Sequence, residues 1–243
     1  MAFQTVFKRY ELKYLLTCEQ RERLLLLMNP YMLPDLYGKS TIRNIYFDTE
    51  SYRLIRRSIE KPTYTEKLRI RSYERATPDS TVFVELKKKY RHVVFKRRMS
   101  LTEHMAMAWV CGRESCPEKT QIAAEIDYFL KYYGDLRPTV FLSYEREAYY
   151  PADGSEFRVT FDQNVLCRET DLSLCADVGG IPLLGEGISL MELKCAGGLP
   201  LWMVRFLSEE KLYKTSFSKY GNAYETLIFP KWKENKRYVS GIV

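Results

Sequence analysis

Alternation of apolar and polar side chains constrains the fold of this chain more than any other feature. In eight segments of its 243 residues, side-chain character changes with a period of two, as in β-strands with one buried face. These segments are residues 7–16, 41–47, 66–73, 81–88, 93–101, 139–149, 157–165 and 189–195. The 19 tyrosines also favour strands over long helices. We therefore predict a protein built mainly from antiparallel sheet.

Helical patterns lie between these segments, at residues 17–28, 50–59, 103–110, 117–134, 200–212 and 218–227. Thr17 and Gln20 form a capping-box pattern at the first helix, and Thr49, Thr102 and Ser218 are N-cap candidates for others. No linker rich in Pro, Gly or Ser divides the chain, so we predict one domain at residues 1–230 and a basic tail at 231–243. Eight strands with outer helices predict an α+β fold whose antiparallel sheet closes into a barrel.

Composition and charge exclude several classes of protein. The longest plain apolar run, residues 24–28, is far shorter than the roughly 20 residues of a membrane span, and residues 1–13 have no signal-peptide core. A cytoplasmic protein is therefore expected. The six cysteines show no repeated close pair and there are only two histidines, which disfavours a zinc site or a catalytic triad. The net charge of +7 points to a polyanionic ligand.

Charged residues occupy alternate positions of seven predicted strands, so each set lies on one face of its strand. The basic members are Arg9, Lys13, Lys67, Arg69, Arg71, Lys87, Lys96, Arg98, Arg146, Arg158 and Lys194. The acidic members are Glu11, Glu85, Asp162 and Glu192. A solvated sheet face would explain any one strand, but it would interleave charges of opposite sign across neighbouring strands. The shared basic bias favours a site for a multivalent anion such as a phosphate chain, lining the inside of the barrel.

The carboxylates on this face require a separate explanation, because they weaken phosphate binding unless a divalent cation is present. Mg²⁺ and Mn²⁺ are commonly bound by one or two carboxylates together with phosphate oxygens and water. Glu192, with Glu11 or Glu85, is the predicted metal site. Salt bridges to neighbouring lysines are the alternative, and for Glu85 and Asp162 the two explanations are equally good.

Eight short segments together resemble a known family. They are residues 9–14, 46–49, 67–71, 85–87, 144–148, 158–162, 191–194 and 217–220. In order and spacing they are similar to the polyphosphate polymerase domain of the vacuolar transporter chaperone (VTC) family, in its short bacterial form. That family belongs to the CYTH-like triphosphate tunnel metalloenzymes. The resemblance extends from residue 3 to about residue 227.

The resemblance implies an eight-stranded antiparallel tunnel in which the γ-phosphoryl group of ATP passes to a polyphosphate chain. It implies that Arg146, Arg158 and Lys194 hold the reacting phosphates and that Glu192 binds Mn²⁺ or Mg²⁺. It further assigns phosphate contacts to Lys67, Arg69, Arg71, Ser218 and Lys219. Ser218 also fits this role independently, because the N-terminus of a helix binds anions.

The first motif departs from the pattern of hydrolysing relatives, which have Glu-x-Glu-x-Lys where this chain has Arg9, Glu11 and Lys13. One carboxylate fewer weakens a two-metal site for activating water and favours a polymerase over a hydrolase. A tripolyphosphatase or nucleoside triphosphatase of the same fold remains open, as does a non-catalytic polyphosphate-binding module. Nucleic acid is a weaker alternative, since core packing explains most of the tyrosines. The sequence does not predict an oligomeric state or a membrane partner.

Overall fold

The computed structural model describes residues 10–91 and 93–233, and it confirms a strand at all eight predicted positions. The long strands are β1 (Tyr10–Leu16), β3 (Ser40–Asp48), β4 (Tyr64–Ser72), β5 (Thr81–Tyr90), β6 (Val93–Thr102), β7 (Arg137–Pro151), β8 (Phe157–Arg168) and β10 (Ser189–Cys195). The sequence pattern misses two short strands, β2 (Met32–Pro34) and β9 (Ile181–Pro182). Both contain proline and are too short for alternation to be visible. Residues 7–9 of the first predicted strand lie outside the described residues.

The strands form one hydrogen-bonded sheet in the order β1-β10-β8-β7-β3-β4-β5-β6, with β2 paired to β7 and β9 paired to β8. Every strand pair whose register is described is antiparallel, so the α+β class with a large antiparallel sheet is confirmed. A closed barrel also requires hydrogen bonds between the two end strands. Within residues 10–91 and 93–233 the order ends at β1 and β6, so closure is not confirmed.

The chain divides into two compact units, each assembled from segments distant in sequence. Unit 1 consists of Met1–Thr41, Tyr144–Val165 and Leu184–Phe217. Unit 2 consists of Ile42–Ser143, Leu166–Leu183 and Ser218–Val243. Strands β7 and β8 each contribute residues to both units. The single domain at residues 1–230 stays a prediction.

The core of unit 1 lies between its strands and the two helices α1 (Cys18–Met28) and α5 (Leu201–Glu209). Its fully buried side chains include Leu24, Phe161 and Met191. The predicted capping box opens α1, because the Gln20 amide donates to Thr17 Oγ1 over 3.3 Å and the Thr17 amide donates to Gln20 Oε1 over 3.0 Å. In β10, residues that alternate with Met191 are left on the opposite face of the sheet, and these include Glu192.

The core of unit 2 packs three helices against strands β3 to β6: α2 (Arg53–Ile59), α3 (Glu103–Val110) and α4 (Gln121–Tyr133). Helix α3 has the predicted bounds, although Thr102 makes no side-chain capping bond in the described structure. Helix α4 ends at Gly134 as predicted but begins after Thr120, whose hydroxyl caps it, and so not at Pro117. Helix α2 begins three residues later than predicted.

The last described helix begins with α6 (Lys219–Ala223), continues through a π-helical turn (Tyr224–Ile228) and extends to residue 233. Ser218 caps α6 as predicted, since its hydroxyl accepts from the Gly221 amide over 3.2 Å. Residues 231–233 of the predicted tail are helical, and the remainder lies outside the described residues. No helix in the described part of the chain is both long and apolar enough to cross a membrane.

Candidate functional site

Three neighbouring strands of unit 1 bring charged side chains together on one face. Lys13 of β1 lies opposite Glu192 of β10, and Glu192 lies opposite Thr160 of β8. In the adjacent row, Lys194 of β10 lies between Glu11 and Arg158. With Arg146 from β7, these side chains form the Glu192 cluster: Glu11, Lys13, Arg146, Arg158, Thr160, Asp162, Glu192 and Lys194.

Arg146 is held firmly within the Glu192 cluster by Asp162. Its Nε and Nη2 atoms each donate to a different carboxylate oxygen of Asp162 over 2.6 Å. The Asp162 side chain has no exposed surface and that of Arg146 is mostly buried. Such a two-point ion pair fixes the plane of the guanidinium group. Asp162 therefore orients Arg146, and the geometry favours the salt-bridge explanation for this carboxylate.

Glu192 is surrounded by cations at longer distances. Its Oε1 lies 3.4 Å from Lys13 Nζ, and its Oε2 lies 3.4 Å from Arg146 Nη2 and 3.9 Å from Lys194 Nζ. Burial lowers the pKa of Lys194, and Arg146 and Arg158 lower it further, while Glu192 and Glu11 oppose them. An added anion would offset this repulsion. The arrangement is suited to binding negatively charged oxygens.

Arg158 is the more exposed of the two arginines in the Glu192 cluster. Its side chain is 36% exposed, lies over the Tyr150 ring at 4.7 Å and is 4.0 Å from Asp35. Its Nε has no hydrogen-bond partner among the described residues. A guanidinium with such weak intramolecular contacts can bind a solvent-borne anion.

A second set of charges lies on strands β4, β5 and β6 of unit 2. Lys87 of β5 lies directly between Lys67 of β4 and Lys96 of β6. In the adjacent row, Glu85 lies between Arg69 and Arg98. With Arg71, these side chains form the Glu85 cluster: Lys67, Arg69, Arg71, Glu85, Lys87, Lys96 and Arg98. It contains six cations and one carboxylate.

Glu85 is the common acceptor of this cluster and has only 1% of its side chain exposed. Arg69 donates to Oε2 over 2.8 Å, while Arg98 at 2.7 Å and Lys96 at 2.8 Å contact Oε1. Burial alone would raise the pKa of Glu85, but Arg69, Arg71 and Lys96 together lower it well below its ordinary range. Because cations engage both oxygens, the geometry favours a salt-bridge role for Glu85 over metal binding.

Tyr46 also joins the Glu85 cluster, although no functional role was predicted for it from the sequence. Arg69 Nη1 donates to the Tyr46 hydroxyl over 2.9 Å, and the Tyr46 ring stacks on Tyr220 with centroids 4.6 Å apart. Burial would raise the pKa of Tyr46, but the charges of Arg69, Lys67 and Arg71 lower it to about 8. Strand β3 is buried along most of its length, so alternation does not single out this face.

The C-terminal helix contacts the same cluster through its first turn. Lys67 Nζ donates to Ser218 Oγ over 3.2 Å, and Lys219 is the first residue of α6. Tyr220 donates to Asp48 Oδ2 over 2.9 Å. Lys67 and Ser218, each predicted to contact phosphate, are thus in contact with each other. Arg9 lies outside the described residues.

Because Asp162 and Glu85 form salt bridges, Glu11 and Glu192 are the predicted carboxylates left to bind a divalent metal. No group of three or more His, Cys, Asp or Glu side chains suited to a metal occurs in residues 10–91 and 93–233. Glu11 and Glu192 lie on the same face, with Lys13 Nζ 3.3 Å from one and 3.4 Å from the other. Two carboxylates fit a Mg²⁺ or Mn²⁺ ion bound mainly through substrate oxygens and water, and not one held by protein ligands alone.

The fold, a large antiparallel sheet with helices packed on it, is shared with several solved structures. A Bacillus halodurans protein provisionally assigned as an adenylate cyclase has a TM-score of 0.54 at 16% identity, over 90% of this chain and 96% of that chain. A Hippeastrum protein, provisionally assigned as an adenylyl cyclase and described with a dominant triphosphatase activity, has a TM-score of 0.53 at 15% identity. That match covers 89% of this chain and 94% of the other. These likenesses show the fold alone.

A family model places the chain more narrowly. The model of the VTC domain matches residues 8–228, which is nearly the whole chain. The protein therefore belongs to the VTC domain family, as its ordered motifs predict. The comparison with curated proteins gives no match.

Proposed function

We propose that this protein is a metal-dependent polyphosphate polymerase, which transfers the γ-phosphoryl group of ATP to a polyphosphate chain and leaves ADP. The observation that carries the proposal is the row of Lys67, Lys87 and Lys96 directly opposite one another across three strands. Like charges in this arrangement destabilise a sheet unless a counter-charge is present, and the contact of Lys96 with Glu85 supplies only part of it. A polyanion with regularly spaced charges supplies that counter-charge along the whole row.

The residues of the Glu192 cluster are suited to hold the reacting phosphates. Phosphoryl transfer depends on alignment and charge neutralisation more than on a protein nucleophile. Arg146, oriented by Asp162, provides a fixed pair of donors, while Lys13, Lys194 and Arg158 provide further positive charge. The attacking phosphate oxygen of the acceptor chain is already ionised near neutral pH. No general base is therefore required from the protein.

The proposed metal is Mn²⁺ or Mg²⁺, held by Glu192 with Glu11. When bound, such an ion neutralises negative charge on the phosphoryl oxygens. The chain's own cations perform the rest of the neutralisation. The closed tunnel predicted from the sequence remains part of this proposal.

A polymerase is favoured over a triphosphatase by the amount of positive charge. The Glu85 cluster alone has a formal charge of +5, from six cations and one carboxylate. A triphosphatase is the second candidate, because the Hippeastrum neighbour is described with that activity on the same fold. A non-catalytic polyphosphate-binding protein would bind through the same cations without turnover.

The decisive experiment is incubation of the purified protein with ATP and Mn²⁺ or Mg²⁺, followed by separation of ADP, free phosphate and polymer. ADP with long polymer is the expected result. Free phosphate without polymer would replace the polymerase with the triphosphatase. Binding of polyphosphate with no turnover would indicate the non-catalytic alternative.

Two substitutions in the Glu192 cluster test the assignment of roles. Glu192→Gln and Lys194→Ala are each expected to abolish turnover, by removing a metal ligand and a phosphate contact, while the far-ultraviolet circular dichroism spectrum stays unchanged. Lys131→Ala, which removes an exposed lysine of α4, is the matched control and should retain full activity. Full turnover in either cluster variant would contradict the assignment.

A further inference from the structure

Thr160 has a buried hydroxyl group that the charges around it leave without a partner. Its side chain has no exposed surface, and Oγ1 makes no hydrogen bond to any described residue. Buried hydroxyl groups in proteins almost always have a hydrogen-bond partner, and one without it reduces stability. A bound ligand or water is the ordinary explanation for such a group.

The position of Thr160 indicates which kind of ligand this is. On β8 it lies between Arg158 and Asp162 on the same strand face, directly opposite Glu192 of β10. Both oxygens of Asp162 are bound by Arg146, and cations lie on both sides of the Glu192 carboxylate. The hydroxyl is thus an uncharged donor, and the two carboxylates beside it are already engaged by Arg146 and Lys13. A phosphoryl oxygen matches both the donor and the positive field.

We propose that the Thr160 hydroxyl donates a hydrogen bond to a non-bridging oxygen of a triphosphate bound at the Glu192 cluster. This inference rests on the proposed function, because it takes the phosphate chain to be the ligand. The hydroxyl adds a directional hydrogen bond to a site whose other phosphate contacts are charged side chains. Among these, the Arg146 guanidinium is fixed in its orientation by Asp162. Thr160 is therefore a binding residue that positions the phosphates.

Ser189 offers a matched control within the same pair of strands. Its hydroxyl is also buried without a partner in the described structure. Alternation in β10, however, puts Ser189 on the face of Met191 and Leu193, which belong to the hydrophobic core of unit 1. Ser189→Ala thus removes a similar hydroxyl without altering the charged face.

The test measures binding of tripolyphosphate by calorimetry to the wild-type protein and to three variants, together with their melting temperatures. Thr160→Val keeps the shape of the side chain and removes the hydroxyl, so its Kd is expected to rise about tenfold, while its melting temperature does not fall. Thr160→Ser and Ser189→Ala are expected to stay within about twofold of the wild type. If Thr160→Val does not fold, Thr160→Ala, which removes the same hydroxyl, is measured in its place.

Unchanged binding in a folded variant without the hydroxyl would overturn the inference and would assign the group to a bound water. Equal losses of affinity in Thr160→Ser and Thr160→Val would overturn it as well. The serine variant keeps the hydroxyl, so removal of the hydroxyl could not then be the cause. A wild-type protein that does not bind tripolyphosphate would overturn the proposed function and this inference together. Binding that depends on Thr160 in a protein that makes no polymer would refute the polymerase and leave the inference standing.

Discussion

At the scale of single residues, Glu85 is the shared counter-charge of several cations in unit 2. Its carboxylate accepts from Arg69, Arg98 and Lys96, and Arg71 lies 3.9 Å away. A buried carboxylate with several cationic partners cannot be removed without exposing those cations to one another. The same feature makes the cluster responsive to an added anion.

Glu85→Gln is therefore expected to lower the free energy of unfolding by about 3–5 kcal/mol, measured by urea denaturation. Tripolyphosphate should restore more stability to this variant than it adds to the wild type. The control is Glu125→Gln, which breaks the more exposed ion pair with Arg97 at 2.9 Å and should cost at most about 1 kcal/mol. A loss for Glu85→Gln no larger than that of the control would contradict its role as the counter-charge.

Tyr46 predicts a rise in stability at alkaline pH. Its pKa is about 8 in the folded protein, against the ordinary value of 10.0, so between these values the unfolded state holds a proton that the folded state has lost. The free energy of unfolding contributed by this group should increase as pH rises from about 8 to about 10, by about 1–2 kcal/mol. Urea denaturation across this pH range measures the change in the free energy of unfolding, and Tyr46→Phe, which lacks the titrating group, is the control. A parallel pH dependence in the two proteins would refute the prediction.

The charged side chains that share one face, as predicted, lie on strands with one solvent-exposed face, where a period of two separates the two faces. Lys67, Lys87 and Lys96 are opposite one another because each occupies the polar phase of its strand. Tyr46 lies on a strand buried on both sides, so the pattern carries no such signal there. The different surroundings of Glu85, which is bonded to cations at both oxygens, and of Glu192, whose cations are more distant, could not be predicted either. They depend on distances across strands.

At the scale of elements, Asp48 connects the end of β3 to two helices. Its carboxylate accepts from the amides of Leu54 and Ile55 in α2 over 2.8 and 2.9 Å, and from the Tyr220 hydroxyl of α6. This use of the amides explains why α2 begins at Arg53, later than the position predicted from Thr49. Capping by a carboxylate several residues upstream is set by the fold and leaves no local sequence signature.

Asp48→Asn is expected to destabilise the protein by about 2–3 kcal/mol, since an amide has one acceptor oxygen and would turn its own donors toward buried N–H groups. Thermal unfolding monitored by circular dichroism measures the change. Asp153→Asn is a suitable control, because Asp153 makes its 2.9 Å contact with the Ser155 amide in an exposed loop. Equal effects of the two substitutions would show that the connection through Asp48 adds little.

At the scale of the whole molecule, the net charge of +7 and the two clusters predict strongly salt-dependent binding of long anions. The affinity for long polyphosphate should fall with rising salt more steeply than the affinity for ATP, because a longer chain engages more cations. Lys87→Ala should reduce the slope of log affinity against log salt concentration by about one for polyphosphate. Fluorescence anisotropy across a salt series measures the slope, and an unchanged slope would show that the lysine row does not contact the polymer.

The family and the α+β class were predictable from the sequence because eight motifs occur in order along nearly the whole chain, and the VTC family model, which matches residues 8–228, agrees with them. Barrel closure was a weaker prediction. Alternation shows which face of a strand is buried, but the pairing of end strands depends on twist and strand tilt summed over the sheet. The Glu192 cluster requires only that β1, β10, β8 and β7 lie side by side, and the Glu85 cluster requires only the pairing of β4, β5 and β6.

The π-helical turn at Tyr224–Ile228 has a consequence for how this family can vary. An extra residue in a helical turn rotates the following residues by about 100° relative to a regular helix. Ser218 at one end can thereby contact Lys67, while Trp232 at the other end lies 5.1 Å below the guanidinium of Arg56. A related chain that lacks one residue in this turn would have to lose one of the two contacts, so the length of this segment should be preserved even where its side chains differ.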